Sequence, residues 1–170
     1  MVITNTVVTN IVVVTPKAFY DIDICGTPEA AIKALSKKYK YNGKIFSDNV
    51  SIHEFYGYML DMSCTIELAV SNKHIQTITF SLSPVSSTRV IYLYDMLLSS
   101  MKKEYGESSE IRNLYEPYSY EDVNRFWVAI CLGKYVVKDV WKRGFITIEM
   151  SISKTLEIKI LFYNETIYMD

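Results

Sequence analysis

The pattern Thr65-Ile66-Glu67-Leu68-Ala69-Val70-Ser71, running on to Ile78 and Phe80, returns as Thr147-Ile148-Glu149-Met150-Ser151-Ile152-Ser153, running on to Ile160 and Phe162. Shifted by 82 positions without a gap, the two 16-residue windows share six identities, and Leu68/Met150 and Val70/Ile152 keep apolar character. Alternation of apolar and polar residues within each copy marks a strand buried on one face only. A duplicated, strand-rich unit restricts the chain to architectures that can be built twice.

Two helices stand among these strands. Thr27 is placed to cap the first, Pro28 occupies a position where its missing N–H costs nothing, and Glu29 favours the positive end of the dipole. Ala31, Ile32, Leu35 and Tyr39 form its apolar stripe, the lysines at 33, 37, 38 and 40 take the outer face, and Asn42-Gly43 is expected to stop it. In the second, Val90, Tyr94, Leu97, Leu98, Met101 and Tyr105 hold one face over four turns, with Ser86, Ser87 and Thr88 as candidate caps and Gly106 as the stop.

Short antiparallel strands are expected from Lys44 to Leu82, with turns at Asp48-Asn49, Gly57, Asp61 and Ser71-Asn72-Lys73. A second set is expected near 126–132, 135–141, 145–152 and 156–163. Residues 2–14 are β-branched and read as a strand, and within it Val7–Val14 offers an edge to a second copy, a route to a homodimer. The fold expected is therefore α+β: one domain over 1–170, built from two similar helix-then-antiparallel-strands units at about 17–85 and 86–163. Together they form one twisted sheet with both helices on one face.

Gly26-Thr27 opening the first helix, Lys103-Glu104-Tyr105-Gly106 closing the second, and Trp141 shortly before Gly144-Phe145-Ile146-Thr147-Ile148 resemble a group of small uncharacterised α+β proteins of gut bacteria, many of them exported. The doubled helix-and-strands plan is also similar to the tandem architecture of β-lactamase inhibitory proteins. That second resemblance is one of topology across residues 19–163. The first implies an extracellular location; the N-terminus of this chain, with no basic n-region, reads instead as cytoplasmic, or as periplasmic or extracellular if a leader has been removed.

A formal net charge of -1 gives no global attraction to nucleic acid or to anionic membranes, and no apolar run reaches the roughly 18 residues of a membrane span. Phosphate-loop, dinucleotide, nucleophile-elbow and zincin motifs are lacking, so no cofactor is expected. Asp21-Ile22-Asp23 fits the wet side of an alternating strand better than a metal site. Cys25, Cys64 and Cys131 have no metal spacing and read as buried thiols, with a Cys64–Cys131 bridge as the alternative. Glu67 and Glu149, at matched places in the two copies, fall on the solvated face.

One stretch escapes every core pattern. Leu114-Tyr115-Glu116-Pro117-Tyr118-Ser119-Tyr120-Glu121-Asp122 is acidic and rich in tyrosine, which repels phosphate and suits protein recognition. The site expected comprises Tyr115, Tyr118 and Tyr120, with Trp127 and Trp141 extending it across the open sheet face if they point outward. The function expected is non-enzymatic binding of a protein or peptide through that face. Its alternative is a small-ligand carrier or weak enzyme with a cavity between sheet and helices, where Glu67 or Glu149 would be the polar groups.

Overall fold

A computed structural model describes residues 17–18, 22–60, 62–83, 86, 89–118 and 125–165. The expected strand at 2–14, with its homodimer edge, lies outside the described residues, as do Asp21, Tyr120, Glu121 and Asp122.

The chain is α+β, with eight of its strands in one antiparallel sheet. A short pair, β1 (Lys17–Ala18) and β2 (Ile22–Asp23), leads into α1 (Pro28–Ser36). Then follow β3 (Lys40–Ser47), β4 (Val50–Met59), β5 (Met62–Ser71) and β6 (His74–Ser83), a meander with tight turns at 48–49 and 72–73 and with Met59 paired to Met62 between β4 and β5. Next come α2 (Val90–Tyr105), β7 (Ser109–Leu114), α3 (Phe126–Cys131), β8 (Tyr135–Arg143), β9 (Ile146–Ile152) and β10 (Ile158–Asn164). The spatial order is β3-β4-β5-β6-β10-β9-β8-β7, so the last strands of the two meanders meet in the middle and β3 and β7 form the edges.

Register explains the single core. One row across the covered face runs Phe55, Ile66, Phe80, Ile160, Met150, and a second runs Leu68, Ile78, Phe162, Ile148, Trp141. All ten are essentially without solvent exposure. Ala31 and Leu35 of α1 and Val90, Leu93, Tyr94, Leu97 and Met101 of α2 pack into this same cluster. At roughly 1.5–3 kcal/mol per fully buried large apolar side chain, this layer is the main source of stability.

Several local expectations are corrected. α1 ends at Ser36, with Lys37 donating back to Ala34 and Leu35, rather than at Asn42-Gly43, which forms a β-bulge inside β3. Gly57 makes no turn: it lies within β4, opposite Cys64, where a Cβ would stand 2.6 Å from the Tyr39 ring. Residues 126–131 are helical rather than extended, because an apolar run of six carries no period of its own to decide between helix and strand. β7 has no counterpart among the expected strands. At α2 the cap position falls to Arg89, without a side-chain cap bond. The three cysteines are free; only Cys64 is buried, while Cys25 and Cys131 are exposed.

Candidate interaction surface

Because β-strand side chains alternate, burying one set of the inner strands beneath helices leaves the other set as a continuous second face. Among the described residues no element covers it. Its central row runs Glu54, Glu67, Thr79, Leu161, Glu149, Val140, Ser109, and a neighbouring row runs Tyr56, Thr65, Ser81, Lys159, Ser151, Lys138, Ile111. Toward the middle of this face the short hydroxyl side chains Thr65, Thr79, Ser81 and Ser151 stand among the longer Glu67, Leu161, Glu149, Lys159 and Lys138, a mixed polar surface. Larger exposed side chains gather at the margins: Ile45, Tyr56 and Tyr58 on one side, Ile111, Tyr115 and Val136 on the other.

The tyrosine loop begins at the second margin. Tyr115 N–H donates to the Lys134 carbonyl at 2.7 Å, prolonging the β7–β8 ladder by one step and giving Tyr115 the phase of Ile111 and Asn113. Tyr118 N–H then returns to the Tyr115 carbonyl at 3.3 Å across the cis Glu116-Pro117 peptide, and its side chain is half-buried. Tyr115 is half exposed.

Neither tryptophan joins them. Trp141 stands on the helix-covered face, 1% exposed, and its Nε1 donates to the Gly106 carbonyl at 2.7 Å beneath the end of α2. It is a core residue, and its expected place on the open face is withdrawn. Trp127 belongs to α3, not to a strand, and packs half-buried against the core; Phe126 beside it stacks on Tyr135 at 4.9 Å between centroids.

Most polar groups at the β7–β8 end are satisfied internally. Asp139 is fully buried, and its Oδ2 accepts from Arg112 Nη2 at 2.6 Å and from the Tyr94 hydroxyl at 2.7 Å, while Oδ1 accepts from Ser108 at 2.7 Å. The Tyr94 hydroxyl also lies 2.8 Å from the Met150 carbonyl. Burial, reinforced by Asp139, raises the pKa of Tyr94. This network ties α2, β7, β8 and β9 together, so its chemistry is that of a clasp. On the open face Glu149 pairs with Lys138 at 2.6 Å and accepts from the Tyr163 hydroxyl at 3.4 Å, a half-buried arrangement rather than the solvated one expected. Glu67 is exposed, directly across the β4–β5 pair from Glu54.

The first half offers a groove. Between α1 and the tips of the β3–β4 and β5–β6 hairpins lies a concavity of about 420 Å³ lined by Ile32, Lys44, Phe46, His53, Val70 and Lys73 among others. His53 is nearly buried at its wall, its Nδ1 3.2 Å from the Tyr41 hydroxyl. Burial first, and the charge of Lys44 second, lower its pKa, which keeps the imidazole neutral near pH 7. A smaller concavity of about 280 Å³ lies at the start of α2 against Leu60 and Met62.

No sulfur or carboxylate constellation accompanies these features. Burial pushes the Cys64 thiol up to about 12, which makes it unreactive at neutral pH. Asp23 uses its carboxylate to accept from Cys25 N–H, and among the described residues no three metal-binding side chains converge. Among the described residues no helix is long and apolar enough to cross a membrane. No family model, curated protein or solved structure matches the chain.

Proposed function

We propose that this chain is a non-enzymatic module that binds another protein or a peptide on its open sheet face, with Tyr115 and Tyr118 at one margin. The observation that carries the reading is the layout of that face: a polar centre of Ser, Thr and the Lys138–Glu149 pair, with Tyr56 and Tyr58 exposed on one side and Ile111 and Tyr115 on the other. Tyrosine supplies large, rigid contact area and a hydroxyl at small entropic cost, which suits a docking margin.

Within the same reading, the chain consists of two similar units, each a helix followed by four strands, the plan implied by the resemblance to β-lactamase inhibitory proteins. Two offsets support it. A shift of 82 carries the pair Ile66–Phe80 onto Ile148–Phe162. A shift of 66 carries the buried Pro28, Ala31, Leu35 and Tyr39 onto the buried Tyr94, Leu97, Met101 and Tyr105. The offsets differ because residues 115–134, with α3, join β7 to β8 where a tight turn at 48–49 joins β3 to β4.

The test is affinity capture with wild type beside a Tyr58→Ser/Tyr115→Ser variant, followed by footprinting of the captured complex. Retention by wild type, loss by the folded variant, and protection of Tyr56 and Tyr58 are expected. A partner held equally by both proteins would remove the open face from the reading. Small-ligand carriage is the second reading, favoured by the groove beside α1, and native mass spectrometry of the purified protein tests it.

A further inference from the structure

The two edges of the sheet differ in what they leave unsatisfied. At β7, Arg112 is paired with Asp139, and Lys102 with Glu107 and Glu110. At β3, Lys40 and Lys44 lie on opposite faces of the edge strand, and Lys33 and Lys37 project from the neighbouring helix and its cap. None of these four has an ion-pair partner among the described residues. The same edge exposes Phe46 at 71% and Ile45 at 52%, with the Lys44 ammonium 4.3 Å from the Phe46 ring. Beyond the bulge at Tyr41/Gly43 the stretch Gly43–Ser47 pairs regularly with β4 on one side, and among the described residues nothing pairs with its other side. An unpaired edge carries a row of backbone donors and acceptors that accepts a further strand.

We infer that the β3 edge, a surface distinct from the open face, binds an extended acidic peptide segment as a ninth strand along Gly43–Ser47. Alternate side chains of such a strand point to opposite faces, so one set enters the groove between α1 and Phe46 and the other lies beside Ile45. Acidic residues on the groove-facing side of the ligand neutralise Lys44. A second copy of this chain pairing through the same edge would instead bring both sets of lysines together, and like charges across a strand pair are unfavourable. Charge therefore selects an acidic partner over self-pairing.

The probe is a fluorescein-labelled Glu-Val-Glu-Val-Glu-Val peptide, read by anisotropy against the full chain. Binding is expected to weaken about tenfold in Lys44→Glu, an exposed substitution that leaves the fold intact. It should also fall as salt rises from about 50 to about 500 mM, and persist in Tyr58→Ser/Tyr115→Ser, which separates this edge from the open face. A peptide N-methylated at alternate residues, unable to pair as a strand, should not bind. Equal binding of the N-methylated peptide, or of a Lys-Val peptide, overturns the inference, as does no binding to the full chain. Sedimentation as a dimer that Lys44→Glu disperses also overturns it, because a second copy then occupies the edge.

Discussion

The β7–β8 end of the molecule settles its charges internally, and the β3–β4 end does not. At the first, a buried carboxylate holds an arginine, a tyrosine and a serine, and the clasp spans three strands and a helix. At the second, Phe55, Tyr41 and Tyr39 provide apolar packing, and Lys33, Lys40 and Lys44 have no ion-pair partner among the described residues. Charge used inside a fold is unavailable to a partner. The apolar core runs beneath both ends, so the clasp adds a buried polar contribution that only the β7–β8 end carries.

Cutting the clasp is the strongest way to break that comparison. Arg112→Ala leaves the Asp139 carboxylate buried with hydrogen bonds but no counter-charge, a change expected to cost about 3 kcal/mol, the low end for a buried pair because Arg112 is partly exposed. The matching cut at the other edge, Lys44→Ala, should stay within about 0.5 kcal/mol. Urea denaturation of both variants decides the matter. Comparable losses would mean that the two ends are anchored alike.

A smaller effect probes how the first half is sealed without a clasp. Tyr39 follows α1, is nearly fully buried, and lies over the bare backbone of Gly57. Gly57→Ala puts a methyl 2.6 Å from a ring carbon, so the ring must shift, at about 1–3 kcal/mol. Tyr39→Leu in the same background should recover part of the loss by vacating the clash. No loss in Gly57→Ala would mean that the ring moves freely and that packing there is loose.

This asymmetry bears on what the sequence made legible. α2 was readable because its apolar face repeats over four turns, and β5, β6, β9 and β10 because their alternation is clean and bounded by turn residues. Gly57 imitates a turn residue; its reason is the Tyr39 ring, brought there by tertiary packing. Trp141 was misread for a related cause. It shares its strand phase with Asp139, and an aspartate that alternation assigns to water is here buried by partners from α2, β7 and the preceding loop. The Tyr115 margin was legible as composition. The β3 edge was not, because neither edge status nor the absence of counter-charges is visible until strand order is known.

The least costly change sharpens the comparison in the opposite direction. Glu54 and Glu67 face each other directly across β4 and β5, whereas Glu149, the glutamate of the Thr147-Ile148-Glu149 stretch on β9, has Lys138 and Tyr163 beside it. Glu67→Lys turns a like-charged cross-strand pair into an opposite one and supplies the first half with what the second half already has. Cross-strand pairs of this kind are worth roughly 0.2–1 kcal/mol, so a gain of about 0.5 kcal/mol is expected in low salt, shrinking as ionic strength rises. Glu67→Gln, which removes repulsion without adding attraction, should recover about half of it. A Glu67→Lys variant no more stable than wild type at any salt concentration would mean that the repulsion is already relieved, with the Asn42 amide, 3.2 Å from Glu54 Oε2, as the group that relieves it.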